Sequence, residues 1–107
     1  MKGTHLGEFE ELVLLTCALL INSAYSVTIG AEIEDQTGRS ITLSTVHTAL
    51  YRLEKKGFLE SYMGGASGER GGRRKRLYRI TAAGFDVLNQ AKELRTRMWS
   101  MMPDYKF

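Results

Sequence analysis

The chain has 107 residues, of which 43% are apolar and 25% are charged. This length allows one domain with a single modest core, and the composition excludes a generally disordered chain. The formal net charge is only +3, but residues 69–79 carry six cations against Glu69, so this segment has a charge of +5 and the rest of the chain sums to −2. A basic segment on a slightly acidic body is typical of a protein that binds nucleic acid.

Cysteine usage and hydropathy bear on where the protein works. The single cysteine, Cys17, excludes an intramolecular disulfide and fits a reducing cytoplasm. The N-terminus lacks the pattern of a signal peptide. The longest apolar run, from Leu12 to Ile21, is interrupted by Thr16 and is shorter than the roughly 20 residues of a membrane span. We therefore expect a cytoplasmic protein without a membrane partner.

Three helices are predicted in the first half of the chain. The first spans residues 8–22 and carries three glutamates in its first turn, where the helix dipole favours negative charge. Ser26 is the predicted N-cap of a second helix, which Gly38 closes. Ser44 is the predicted N-cap of a third helix, which Gly57 terminates.

The hydrophobic period changes after the third helix. Residues 59–63 and 75–80 alternate as two strands do, with the glycine-rich segment between them as their turn. Thr81 is the predicted cap of a fourth helix, whose apolar positions recur at three- and four-residue spacing until Pro103 ends the pattern. The order helix, helix, helix, hairpin, helix is that of a winged helix-turn-helix, in which the third helix enters the major groove and the wing follows the backbone.

The predicted fold class is therefore mainly α with a small β-hairpin (α+β). Residues 1–80 form the winged helix-turn-helix. Residues 81–102 form a C-terminal dimerisation helix within the same compact unit, and residues 103–107 form a tail.

The third helix supplies the first group of candidate DNA-binding residues. Its apolar residues Val46, Leu50 and Leu53 are predicted to face the core, which leaves a polar face outside. Short hydroxyl side chains and a helix N-terminus can bond phosphate or base edges, although a solvated helix face is the alternative. The candidates on this face are Ser44, Thr45, His47, Thr48, Tyr51 and Arg52.

The basic wing supplies the second group. Its cations are predicted to contact phosphate, since they exceed what solubility of a hairpin requires, which is the alternative explanation of a charge run. Strand alternation predicts that Arg74 and Arg76 lie on the face opposite Lys75. The candidates in this segment are Arg70, Arg73, Arg74, Lys75 and Arg76.

A third cluster, rich in methionine and containing the only tryptophan, lies on the fourth helix. Soft methionines beside an indole can line a pocket for flat aromatic compounds, and they can equally form the seam of a dimer. The candidate residues for a ligand pocket or dimer interface are Phe9, Leu88, Ala91, Leu94, Met98, Trp99 and Met102.

Catalysis and cofactors have no support in the sequence. No Ser/His/Asp or Cys/His set is recognisable, and the acidic residues are scattered rather than paired. His5, His47 and Cys17 are far apart and lack ligand spacing, so no metal site is predicted. The glycine-rich segment fits neither phosphate-binding loop motif. We expect a protein that is not an enzyme and needs no cofactor.

Three segments together resemble the PadR family of bacterial transcriptional regulators: LGEFEELVLL, TVHTALYRLEKKGFLES and GERGGRRKRLYRITAAG. The resemblance covers about residues 6–95. It implies a homodimer of winged helix-turn-helix subunits joined through C-terminal helices, usually a repressor, and room for one such helix indicates the short subgroup. It also implies that small aromatic effectors can bind between the paired helices. One departure is His47, where the family usually has a tyrosine.

The sequence thus predicts a homodimeric, nucleoid-associated repressor in a bacterial cytoplasm, with double-stranded DNA carrying a pseudo-palindromic operator as its partner. One alternative is a winged-helix module that binds an acidic protein surface without preferring any DNA sequence. Another is a dimer whose main task is to sequester a small aromatic molecule.

Overall fold

The computed structural model of the protein describes residues 6–64 and 74–107. Within these residues no helix is long and apolar enough to cross a membrane. The predicted fold class is confirmed: four helices accompany one antiparallel hairpin. In chain order the elements are α1 (Glu8–Leu19), α2 (Ser26–Thr37), α3 (Leu43–Lys55), β1 (Leu59–Met63), β2 (Arg76–Ile80) and α4 (Ala82–Ser100). The predicted glycine-rich turn falls outside the described residues.

Two predicted element bounds are wrong. The first helix ends at Leu19 rather than Asn22, because Asn22 adopts a left-handed backbone with φ of 67°, which a right-handed helix cannot accommodate. The second strand begins at Arg76 rather than Lys75. By contrast, Gly38 and Gly57 follow α2 and α3 with φ of 73° and 83°, the left-handed geometry that favours glycine at a helix end.

The predicted caps of α2 and α3 are also displaced. Tyr25, not Ser26, is the N-cap of α2, because the extended backbone ends at Tyr25 and Ser26 is already helical. Thr42, not Ser44, caps α3, and its hydroxyl accepts a hydrogen bond from the Thr45 N–H at 3.3 Å. The N-cap is the last residue with an extended backbone before the helix. Residue type alone therefore does not identify it where several polar residues lie near the start of a helix.

The core lies where α1 meets the other elements. Helix α1 packs against α2, α3, β2 and α4, and α3 packs against β1. The buried apolar side chains form one cluster: Val13, Leu14, Cys17, Ala24, Ile29, Ile33, Val46, Ala49, Leu50, Leu53, Phe58, Leu59, Tyr78, Val87 and Leu88.

The base of the hairpin is joined directly to α4. Strands β1 and β2 pair with Leu59 opposite Ile80 and Met63 opposite Arg76. Beyond this pairing, Thr81 donates its N–H to the Phe58 carbonyl at 3.1 Å and its hydroxyl to the Gly57 carbonyl at 2.7 Å. The same hydroxyl accepts from the Gly84 N–H at 3.0 Å and so caps α4, as predicted. One threonine therefore fixes the wing base to the start of α4.

Position 84 requires glycine because the backbone of α4 approaches Phe58 and Ile80 closely there. A Cβ on Gly84 would overlap the Phe58 carbonyl oxygen and lie 2.8 Å from Ile80 Cγ1. We expect Gly84→Ala to lower the free energy of unfolding by about 1–3 kcal/mol, because overpacking forces the backbone to shift. Urea denaturation measures this loss, with Ala83→Ser, an exposed change in the same helical turn, as the control. Equal stability of the two variants would contradict the close packing of α4 on the wing base.

Candidate nucleic-acid interface

The outer face of α3 is polar and exposed over its whole length. All of its six candidate residues are exposed, whereas Val46, Ala49, Leu50 and Leu53 on the opposite side are buried. The prediction of which α3 side chains face inward is therefore confirmed. The structure places these six on the exposed surface: Ser44, Thr45, His47, Thr48, Tyr51 and Arg52.

The threonine hydroxyl groups on this face already make hydrogen bonds to the cap of α3 or to its backbone. The Thr45 and Thr42 hydroxyl oxygens are 2.8 Å apart, and the Thr48 hydroxyl donates to the Ser44 carbonyl at 3.0 Å. A threonine hydroxyl that donates to its own helix keeps lone pairs that can accept. In the major groove, adenine and cytosine offer amino groups that donate to such an acceptor. In this geometry the Thr48 hydroxyl is an acceptor for such an amino group and not a donor to a base carbonyl.

Lys55 is a cation near the C-terminal end of this face that the sequence reasoning did not single out. Its Nζ lies 5.5 Å from the centre of the Tyr51 ring and 3.4 Å from the Tyr51 hydroxyl oxygen. The signal was present in the sequence, because residues four apart on a helix are neighbours. Tyr51 and Lys55 thus place a phenol and an ammonium side by side on α3, C-terminal to Thr45 and Thr48.

The wing base carries Arg74, Lys75 and Arg76, all exposed. The guanidinium of Arg76 donates through Nη1 to the Ser61 hydroxyl at 2.9 Å, and that hydroxyl donates to the Glu54 carboxylate at 2.7 Å. Glu54 belongs to the last turns of α3. Two short hydrogen bonds therefore link this wing cation to the end of the third helix.

These cations border an open concavity of about 660 Å³ between the wing, α2 and α3. All three residues border this concavity, so the predicted difference in the strand faces of Lys75 and its two neighbours does not keep them out of one site. The Gly64 N–H donates to the Lys75 carbonyl at 2.7 Å, which continues the pairing of the two strands just before β2. The remaining residues along the edge of the concavity come from the start of α2, from α3 and from β2: Tyr25, Ser26, Val27, His47 and Tyr78. Arg70 and Arg73 lie outside the described residues.

The C-terminal end of α3 is held against α1 by a partly buried ion pair. Lys56 Nζ lies 2.8 Å from Glu10 Oε1, and the Gly7 N–H donates to the same oxygen at 3.3 Å. Burial alone would raise the pKa of Glu10, but these hydrogen bonds and the charges of Lys56 and Arg52 outweigh it and lower the pKa below its usual value. Glu10 therefore stays ionised at neutral pH and holds α1 and α3 together.

The candidate residues of α4 are divided between two concavities. Leu88 and Trp99 border an apolar groove of about 510 Å³ between α1 and α4, together with Leu15, Ala18 and Phe85. Ala91 and Leu94 border a second concavity of about 270 Å³. The ion pair between Arg95 and Glu11, at 3.5 Å, lies on the border that the two share.

Exposure differs strongly among these candidates. Leu88 is buried in the core, while Trp99, Met98, Leu94 and Met102 are 71%, 60%, 46% and 46% exposed. Phe9 is not brought to this groove, since it borders a different concavity between the start of α1 and α3 and lies 5.8 Å from the Arg39 guanidinium carbon. The apolar surface of α4 is thus wide and faces solvent in the single chain.

Residues 15–90, which include Arg74, Lys75 and Arg76 of the wing base, match the model of the transcriptional regulator PadR-like family. The chain belongs to the PadR-like family. The match extends from α1 through the winged helix-turn-helix and into α4, which is well over half of the chain. Curated protein sequences include no significant match to this regulator.

Solved structures share the fold of this PadR-like regulator. A PadR family transcription regulator from Clostridium difficile is 27% identical, with a TM-score of 0.68, and the match covers 90% of this chain and 95% of that one. A PadR-like regulator from Bacillus cereus is 17% identical, with a TM-score of 0.70 and coverages of 86% and 84%. Bacillus subtilis PadR, solved in complex with operator DNA, is 16% identical with a TM-score of 0.62, and the match covers 94% of this chain but 50% of that protein.

Proposed function

We propose that this PadR-like regulator binds operator DNA as a homodimer and represses transcription from the promoter it occupies. The observation that carries the proposal is the concavity at the wing base, where Arg74, Lys75, Arg76 and His47 meet beside the exposed polar face of α3. Cations next to a hydroxyl-rich helix face provide the two contacts that such a regulator needs, to phosphate and to base edges. The operator complex of the Bacillus subtilis protein supports this use of the fold.

The dimer is proposed from the exposed apolar face of α4. A monomeric soluble protein rarely exposes a contiguous set of large apolar side chains, and Leu94, Met98 and Trp99 of α4 are exposed together with Met102 just after it. Pairing of two such helices would bury this face and relate the two α3 helices by a two-fold axis. A two-fold dimer reads a pseudo-palindrome whose half-sites are about 34–36 Å apart, or a multiple of that distance. Bound there in the cytoplasm, at the nucleoid, it would exclude other proteins from the same promoter DNA.

A small aromatic effector is proposed for the groove between α1 and α4. Trp99 borders this groove with Leu15 and Phe85, which gives an apolar site with an exposed indole for a flat ring to contact. We expect planar aromatic compounds to quench the fluorescence of Trp99, the only tryptophan, with a saturable dependence on concentration. Leu15→Glu, which places a charge in the groove, is expected to abolish saturation. A linear, non-saturating response in both proteins would contradict the ligand site.

The proposed function is tested by selecting bound sequences from a random duplex library and titrating salt against the enriched sequence. We expect an inverted repeat and, if ~6–8 phosphates are neutralised per dimer, a log–log slope of about −5 to −7. Transcription from a promoter carrying the repeat is expected to fall when the protein is added. Weak, salt-sensitive binding with no enriched sequence would contradict operator recognition and favour the protein-interaction module.

Sequence readout is assigned to Thr48. We expect Thr48→Ala to reduce discrimination at one base pair of each half-site about fivefold, the value of one hydrogen bond of ~1 kcal/mol, while affinity for random duplexes stays unchanged. Competition assays with single-base operator variants measure this. Thr37→Ala is the control, because the Thr37 hydroxyl donates to the Ile33 carbonyl in the same way but at the end of α2. An equal effect of both changes would contradict the assignment.

A further inference from the structure

Tyr25 lies outside the basic segment yet contacts one of its cations. The ammonium nitrogen of Lys75 is 4.9 Å from the centre of the Tyr25 ring. At this distance a lysine is attracted to the negative face of an aromatic ring. Tyr25 is the N-cap of α2, about fifty residues before Lys75 in the chain, and no local pattern connects the two.

The backbone fixes both partners of this contact. The Tyr78 N–H of β2 donates to the carbonyl of Ala24, the residue before Tyr25, at 2.9 Å. Tyr25 is held in turn by α2, since its N–H donates to the Thr28 hydroxyl at 3.0 Å and its carbonyl accepts from the Ile29 N–H at 2.8 Å. The Tyr25 ring is therefore attached to a fixed backbone next to β2, which Lys75 immediately precedes.

Two of the three cations that border the concavity are restrained in different ways. Arg76 is held by Ser61, which is bonded to Glu54, whereas Lys75 is held by the Tyr25 ring. A lysine loses considerable side-chain entropy when it is fixed against a phosphate. A contact that already restricts the ammonium in the unbound protein reduces this loss on binding.

We propose that the concavity between the wing base, α2 and α3 holds a backbone phosphate of duplex DNA and that Tyr25 is the positioning residue that directs Lys75 into it. The inference rests on the proposed DNA binding and identifies the site on the protein where one phosphate binds. The ring positions the cation, and the tyrosine hydroxyl is not required. Phenylalanine at position 25 is therefore expected to position Lys75 as tyrosine does, and leucine is not.

The test measures affinity for a random-sequence duplex of about 30 base pairs, because a phosphate contact does not depend on sequence. Tyr25→Phe is expected to bind as the wild type does. Tyr25→Leu is expected to bind about 4- to 25-fold more weakly, from a two- to fivefold loss at each of two pairs in a dimer. Lys75→Ala is expected to reduce the salt slope by about 2, one contact per subunit. Tyr25→Leu is expected to add no further loss in the Lys75→Ala background.

The chain contains a matched control on another part of the hairpin. The Tyr62 ring lies 4.3 Å from the guanidinium carbon of Arg79, and Arg79 is also paired with Glu60 at 2.9 Å. Neither Tyr62 nor Arg79 borders the concavity. Tyr62→Leu removes the same kind of contact and is expected to leave DNA affinity unchanged.

The outcomes separate this inference from the proposed function. If the wild type and Tyr62→Leu bind with a steep salt slope and Tyr25→Leu binds equally well, Tyr25 does not position Lys75. A loss for Tyr25→Leu that persists in the Lys75→Ala background also overturns the inference. If Tyr25→Leu fails to fold in circular dichroism, Lys75→Met and Lys75→Arg decide instead, with weakened binding expected only for Lys75→Met. Absence of salt-dependent binding in the wild type would overturn the proposed function itself.

Discussion

Replacing Arg74 and Arg76 together by alanine is expected to weaken binding to every DNA sequence and to reduce the salt slope by about 3–4. The reason is that each phosphate contact contributes about 0.9 to the slope, and two contacts per subunit make four in a dimer. Because both residues border the concavity at the wing base and are exposed, their loss removes charge without opening the core. Fluorescence anisotropy at several salt concentrations measures the effect on the enriched and the random duplex.

The control for this variant removes the same charge elsewhere. Arg97 and Lys106 are exposed on α4 and the C-terminal segment, so Arg97→Ala with Lys106→Ala has the same net charge as the wing variant. It is expected to keep at least most of the wild-type slope. Equal slopes in the two double variants would show that overall charge, and not the wing base, governs binding.

Placing a charge on the apolar face of α4 is expected to abolish the dimer and weaken operator binding by about 10²- to 10⁴-fold. Met98 is 60% exposed in the single chain, so Met98→Glu leaves the core intact while burying a carboxylate in the proposed interface. Without the dimer, each subunit binds one half-site alone and the gain from linking two sites is lost. Analytical ultracentrifugation measures the association, and anisotropy measures operator affinity.

Ser100→Glu is the matched control for Met98→Glu. Ser100 follows Met98 by two residues, about 200° around the helix, and is exposed, so it adds the same charge on the other side of α4. It is expected to remain dimeric. Dissociation of both variants, or of neither, would contradict an interface centred on Met98.

Much of the fold could be predicted because it follows from local spacing. The buried positions Val46, Leu50 and Leu53 recur at helical intervals, and the change to alternation after Phe58 marks the hairpin. The ends of helices were harder to predict. Ser26 and Ser44 are suitable capping residues, yet the chain turns one or two residues earlier, at Tyr25 and Thr42, where several polar residues compete.

The candidate interface was predictable in composition but not in arrangement. The sequence showed that Arg74, Lys75 and Arg76 are cations, but their common concavity also depends on α2 and α3, which supply its other borders. The contact between Tyr25 and Lys75 depends on the hydrogen bond from Tyr78 to Ala24, which joins parts of the chain that are distant in sequence. Such long-range pairs leave no periodic signal in a single sequence.

The attachment of α4 to the wing base through Thr81 and Gly84 makes the fourth helix a lever arm. Its 19 residues extend about 28 Å at 1.5 Å per residue. In the proposed dimer, tilting α4 by about 10° around its far end would move the wing base by roughly 5 Å, which exceeds the 3.4 Å rise of one base pair. A small change in how the two helices cross would thus shift both wings out of register with the DNA backbone. In that dimer, operator spacing and effector response would then depend on how firmly Thr81 and the close packing of Gly84 hold α4 to the wing base.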